Sequence, residues 1–300
     1  MTRNSQMPRR CFLAASVVTA CIVIFIIGFV FYTAAPVLGK EGFGFVTGST
    51  WSYDHEYGIA IFLVGTLILT AVTLVIAVPL GIFTAIFLAE WAPAWIERIV
   101  RPLIELLVGI PSVVYGIFGF FVLENIFQYY INPFIDGTLG FIPIFRNTTP
   151  QTGLGFLLAS TVLSIMILPT IVALSEEAMR SVPQEYREAS FALGATKWET
   201  IKKVVVPTAI TGISTGIILA LLRAMGETMA VVMLIGGNDN MPESILGTGS
   251  AMTSKILNDI GFHCMYPTHL SALFAIAAVL FLLEMSFVAV VRYVSNWKLA

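Results

Sequence analysis

Residues 188–207 read EASFALGATKWETIKKVVVP, a polar stretch caught between two long apolar runs. Its local shape follows from its residues. Just upstream, Ser181 and Gln184 have capping-box spacing, with Pro183 in the first turn, where a missing N–H costs little. Val182, Tyr186, Ala189 and Leu193 then share one helical face. Gly194 supplies the left-handed residue that ends a helix. Thr196 with Glu199 forms a second capping box, opening a helix that carries Lys202 and Lys203. Two short helices joined at a glycine make a projection with an apolar stripe. A solvated loop without a partner has the same outline, and so does a DNA-reading helix-turn-helix. Nearly balanced charge and tight apolar flanks speak against DNA.

Working outward, composition places the flanks in a bilayer. Hydrophobic residues make up 57% of the 300 and charged residues 11%, against roughly 25% charged in soluble domains. Six runs are long and apolar enough to span: 11–35, 58–88, 103–127, 153–174, 207–235 and 270–291. None alternates as a barrel strand does, so the fold is all-α integral membrane with six transmembrane helices. The second run contains Pro79 and is long, so it should tilt, kink or enter the interface. Residues 1–57 form an N-terminal tail, helix and outer loop. Residues 58–300 form a five-helix core. The first apolar run exceeds the about 7–15 residues of a signal core, which favours a retained helix. Cys11 and Cys21 in that run and Cys264 in an outer loop suggest no disulfide framework. Segments 36–57, 131–152 and 236–269 read as glycine-rich outer loops, either meeting another protein or plainly solvated.

Positive charge orients the bundle. With the N-terminus inside, Arg3, Arg9, Arg10, Arg98, Arg101, Arg180, Arg187, Lys197, Lys202, Lys203, Arg292 and Lys298 are cytoplasmic. Only Lys40, Arg146 and Lys255 lie outside. Cytoplasmic loops carry the excess of Lys and Arg. Residues 188–207 and both termini are therefore expected in the cytoplasm.

Inside the fifth run, LLRAMGETMAVVM at 221–233 places Arg223 and Glu227 four apart, neighbours on one face of a helix. Arg223 lies sixteen residues beyond Pro207, roughly 24 Å along the axis. A lone arginine there costs about 2.5–3.5 kcal/mol and should face protein or water. One reading is a buried ion pair that fixes helix orientation. The other is a site on a translocation path, since a guanidinium fork suits oxyanion oxygens. Glu227 would then hold the arginine and keep the anion from being trapped. Thr211, Gly212, Thr215 and Gly216 are small residues that let another helix approach. Gly109, Pro111, Gly116 and Gly119 read as an interrupted, closely packed helix, either a kink or a pathway lining. Glu105 and Glu124 flank it near the interfaces.

No G-x-x-x-x-G-K-[ST] run occurs, so ATP cannot be held by that route and energy must come from another subunit. No paired-cysteine or H-E-x-x-H motif is present, and neither metal nor cofactor is expected. His263, Cys264 and Met265 are adjacent on an irregular loop, a poor copper site. His55 and His269 are expected at the interface.

Residues 188–207 resemble the cytoplasmic EAA loop of ATP-binding-cassette importer permeases. That pattern is E-A-A, three residues, Gly, nine residues, then I-x-L-P. Glu188, Ala189 and Gly194 fall on it, with Val204, Val206 and Pro207 at its end. Ser190 replaces the second alanine, and valines replace the isoleucine and leucine. The resemblance implies a MetI-like core whose segment 175–206 docks in a groove of an ATPase subunit. Glu188, Ala189, Gly194, Val204 and Pro207 would carry that coupling.

A narrower resemblance rests on RAMGETMAV at 223–231, GIPSVVYGIFG at 109–119, VPLGIFTAIFLAEW at 78–91 and LPTIVALSEEAMRSVPQEYREAS at 168–190. These look like the phosphate-specific permeases of the Pst type. The N-terminal helix and SALF at 271–274 favour the first permease, the PstC type. It implies a permease subunit that moves inorganic phosphate across the cytoplasmic membrane, with Arg223 and Glu227 on the path. The implied partners are a homologous PstA-type permease, two PstB-type ATP-binding subunits that alone hydrolyse ATP, and an extracytoplasmic PstS-type phosphate-binding protein. Nucleic acid is not among them. Segment 237–269 departs from the family, which leaves the binding-protein contacts open. The residues alone also allow a sulfate or molybdate permease or a stand-alone secondary carrier. The carrier is disfavoured by the absence of internal repeats. A membrane enzyme is disfavoured by the absence of a nucleophile–base or metal constellation in the spans.

Overall fold

A computed structural model describes residues 6–52, 56–263 and 266–297. Arg3, His55, Cys264, Met265 and Lys298, on which parts of the sequence reading fall, lie outside them. Eleven helices carry the architecture among the described residues: α1 (Gln6–Glu41), α2 (Ala60–Trp91), α3 (Ala94–Gly109), α4 (Ser112–Leu139), α5 (Phe156–Arg180), α6 (Gln184–Ala192), α7 (Lys197–Thr208), α8 (Ile210–Gly226), α9 (Met229–Leu234), α10 (Met252–His263) and α11 (Pro267–Trp297). Helices α1, α2, α4, α5 and α11 are long and apolar enough to cross a membrane, and α7 with α8 makes a sixth span bent by 67°. The protein is a multi-pass membrane protein.

Helix α5 is the axle of the bundle. Its Phe156, Leu163, Ile167 and Ile171 are buried between α2 on one side and α8 on the other. The Ser160 hydroxyl donates to the Leu69 carbonyl at 3.1 Å, and the Ser164 hydroxyl to the Thr73 carbonyl at 3.1 Å. Interhelical bonds of this kind contribute about 0.6 kcal/mol each in a bilayer. On the α8 side, a Cβ at Gly216 would stand 3.1 Å from Leu174 Cβ, and one at Gly212 would collide with Ala178. Close approach is thus what those small residues provide. Helix α1 packs on α11 most closely through its C-terminal half, where Ala34 and Val37 meet Ala272, Leu273 and Ile276. Helix α2 continues through Pro79 and ends in a π-helical turn at Phe87–Trp91.

The third apolar run, 103–127, is interrupted at Gly109–Pro111, as its residues suggest, and the break divides it into two helices. Helix α3 stops at Gly109, Ile110 and Pro111 are extended, and the span itself begins at Ser112. Pro111 cannot donate to the Leu107 carbonyl four residues back. The Tyr115 hydroxyl donates there instead, at 3.0 Å. Beyond the break, Gly116 and Gly119 let α4 close on Met233 and Leu234. The fifth run, 207–235, is broken twice. It bends at Ala209, just after Pro207, and it is extended at Glu227.

The segment expected as an outer loop over 236–269 is largely exposed through Glu243 and then turns back into the bundle, burying Ile245, Leu246, Ser250, Ala251 and Met252. The Gly247 and Ile245 carbonyls accept from the Phe156 and Leu157 amides at 3.1 and 2.8 Å. Those amides open α5 and have no partner within their own helix, so the segment caps the central span. His269, expected at the interface, is buried beside Asp259, with Nε2 at 3.3 Å. Lys255 bridges Asp259 and Asp239 at 3.2 and 2.6 Å and lies over the Trp51 ring. Glu124, given no role from sequence, accepts from the Gly153 amide at 3.1 Å.

Candidate functional site

Two places concentrate polar chemistry: the projection formed by α6 and α7, and the break between α8 and α9. At the first, Ser181 does not cap α6. Its hydroxyl donates back to the Ala178 carbonyl at 2.7 Å, and Pro183 stands at the N-cap. Gly194 adopts φ +84°, the left-handed conformation that ends α6. The Thr196–Glu199 box closes as expected. The Thr196 amide donates to Glu199 Oε2 at 3.0 Å and the Glu199 amide to Thr196 Oγ1 at 3.3 Å. The Thr196 N–H, then its hydroxyl and Lys203, hold the Glu199 carboxyl below the usual carboxylate range.

Ser190, the departure from the E-A-A pattern, bonds the Thr200 hydroxyl at 2.9 Å and ties the two helices together. Glu188, Ala189, Gly194 and Pro207 are exposed, and Val204 is half-buried. Leu193 is 90% exposed, with Tyr186 and Phe191 exposed near it. Val182, expected on the same stripe, is instead buried against the spans. An exposed apolar tip on a fixed base is suited to insertion into another protein.

That base is bolted to the spans. The Arg187 guanidinium donates to Glu90 at 2.9 Å, to the Met179 carbonyl at 2.9 Å and to the Val182 carbonyl. Trp198 stacks on Trp91 with centroids 5.8 Å apart. Arg101 and Arg180 both reach the buried Glu176, at 2.6 and 2.8 Å, and Arg180 also reaches Glu97 at 3.1 Å. Glu90, Glu97 and Glu176 escaped the sequence reading. Arg187 and Glu90 lie 97 residues apart, so no spacing rule joins them.

At the second place, Arg223 and Glu227 are not the i, i+4 pair the sequence suggests. Helix α8 ends at Gly226, so Glu227 leaves the arginine's face. Its Oε1 accepts the Thr228, Met229 and Ala230 amides at 3.1, 3.1 and 3.4 Å, capping α9. Its carbonyl accepts from the Thr253 hydroxyl at 3.0 Å, fastening the break to α10. Arg223 remains half-buried in the last turn of α8. Among the described residues its guanidinium has no carboxylate within 4.0 Å. Its donors are therefore available to an anion. No cluster of three His, Cys, Asp or Glu among the described residues could hold a metal ion.

The family described as the binding-protein-dependent transport system inner membrane component matches residues 77–298. The chain belongs to that family. This family member is 38% identical to the probable ABC transporter permease protein YqgH of Bacillus subtilis, over 93% of this chain and 89% of that one. It is 40% identical to the phosphate transport system permease protein PstC of Pasteurella multocida, over 81% and 76%. Against the probable PstC of Methanocaldococcus jannaschii the figures are 32%, 95% and 92%. Among solved structures, a bacterial alginate ABC transporter superposes with TM-score 0.60 at 16% identity, covering 98% of this chain and 97% of that chain. The MetNI methionine ABC transporter superposes at 0.51 and 19%, covering 80% and 94%. At such identities the structures show the fold, an importer permease bundle. The chain is the membrane subunit of an ABC importer, a permease.

Proposed function

We propose that this permease translocates inorganic phosphate across the cytoplasmic membrane, as the first of two permeases in a binding-protein-dependent importer. The observation that carries the proposal is Arg223: a guanidinium at a break inside the bundle, with no carboxylate within 4.0 Å among the described residues. Such a group meets an oxyanion with paired donors. The PstC relatives narrow the oxyanion to phosphate. Glu227 shapes the same place by capping α9 and so holding the break open.

The partners follow from the same reading. A PstA-type permease completes the channel, and two PstB-type subunits bind and hydrolyse ATP. A PstS-type binding protein delivers phosphate on the outer side. The coupling segment 175–206 docks on an ATPase through Glu188, Ala189, Gly194, Val204 and Pro207, with Leu193 at its tip. Both termini are cytoplasmic, and 58–300 is the core beside the 1–57 appendage. ATP-driven closure of the ATPases then pulls on Arg187–Glu90 and Trp198–Trp91, moving α2 and α5 together.

Uptake of labelled phosphate by the reconstituted four-component transporter tests this. The Arg223→Gln and Glu227→Gln proteins, assembled with their partners, should lose most of that uptake. Undiminished uptake in both, or accumulation of sulfate in place of phosphate by the wild type, sinks the reading.

A further inference from the structure

A groove opens between α8 and α11 on the side of the α6–α7 projection. Thr211, Ser214 and Thr215, followed by the apolar Ile218, Leu219 and Leu222, line one wall and Val288 and Arg292 the other, around a cavity of about 450 Å³. Glu284, Val288 and Arg292 recur at i, i+4 and i+8, so they form one stripe of α11. At the deep end of that stripe, Glu284 Oε1 lies 3.8 Å from where a Cβ on Gly226 would stand. The cavity thus spans α8 from Thr211 to Leu222, and Glu284 continues the α11 stripe one turn beyond it, toward the last turn of α8. Its chemistry is uneven. A cation and three hydroxyls sit at one end, apolar side chains follow, and the half-buried Glu284 carboxylate lies beyond the other end. Among the described residues, Glu284 has no cation within 4.0 Å.

We propose that this groove is the exit arm of the translocation path. Arg292 and the Thr211, Ser214 and Thr215 hydroxyls receive the oxyanion that Arg223 releases. Glu284 is the acidic step between them. Two cationic sites separated by a carboxylate let an anion pass without settling, because binding must be weak enough to leave. The Thr215 hydroxyl donates to the Thr211 carbonyl at 2.8 Å, and rotation about its side chain turns that proton to a passing anion. The inference rests on the phosphate reading above.

The test uses the complete reconstituted transporter with Cys11, Cys21 and Cys264 replaced by serine. Thr215→Cys and Val288→Cys are compared with Leu282→Cys, an exposed site on α11 outside that stripe. An anionic, membrane-impermeant thiosulfonate is added on the side of the projection. The two groove cysteines should react at least tenfold faster than the control. Inorganic phosphate should slow them, and the reaction should cut uptake. Arg292→Gln should lower uptake several-fold, with Arg292→Lys restoring it. Groove cysteines that react no faster than the control, in a transporter that still takes up phosphate, overturn the groove alone. Lipid or a neighbouring permease then fills it. Failure of the wild-type transporter to accumulate phosphate overturns both readings.

Discussion

Tyr115 does the work of a missing amide. Proline at 111 leaves the Leu107 carbonyl without its helical donor, and a lone carbonyl at membrane depth is expensive. The phenol hydroxyl, one turn further on, fills the gap at 3.0 Å. Tyr115→Phe should therefore lower stability by about 1–3 kcal/mol, read as thermal unfolding in detergent. Adding Pro111→Ala should recover most of the loss, since the backbone then supplies its own donor. An unstable double variant would refute this account. Glu199 gives the matching case in water. Its carboxyl is held low by the Thr196 amide, so the capping box contributes fully above the ordinary carboxylate pKa. It is lost only as pH falls through the depressed folded value. Corrected amide-exchange protection at Thr196–Thr200 should accordingly stay flat from neutral pH to about 5 and drop in stronger acid. A drop near neutrality would show that the carboxylate is not the cap.

At the scale of elements, the projection and its bolts should fail differently. Gly194 sits at φ +84°, where a side chain costs about 1–2 kcal/mol and a β-branched one is worst placed. Gly194→Val should tilt α7 away from α6 and abolish copurification of the ATPase, while the permease still inserts. Arg187→Ala leaves the exposed tip intact but cuts its links to Glu90, Met179 and Val182. It should retain the ATPase and lose at least nine-tenths of the uptake. Equal ATPase binding by both variants would remove the distinction. The same contrast marks what could be read from the chain. Gly194 and the Thr196–Glu199 box obey rules that reach only three or four residues, and they formed as read. Ser181 obeyed the same spacing, yet its hydroxyl found the Ala178 carbonyl, a competing local partner. Arg223 with Glu227 failed because i, i+4 pairing presumes an unbroken helix. Gly226 weakens that helix, and three amides outbid one guanidinium for the carboxylate. Arg187–Glu90, Trp91–Trp198 and the folding-in of 244–263 depend on contacts across the whole bundle, which no local spacing encodes.

For the whole molecule, the two ends are built to different standards. At the projection end, the arginines at 101 and 180 meet carboxylates while remaining more than a third exposed. Their shared carboxylate, Glu176, is buried, but with two arginines on it one can leave without stranding the charge, which suits an end that must move. At the other end, Lys255 is 4% exposed between Asp239 and Asp259 and under Trp51. A buried pair like this is costly to open by one partner, which suits a rigid rim. The excess of Lys and Arg lies at the moving end, so that end should face the cytoplasm, where ATP is. Leu193→Cys on a cysteine-free background measures this directly, because its side chain is the most exposed apolar group of the tip. An impermeant maleimide should label it in inside-out vesicles and leave it untouched in right-side-out ones, and bound ATPase should shield it. Labelling from the outer side would invert the bundle, place the rigid rim toward ATP and strip the projection of any engine to follow.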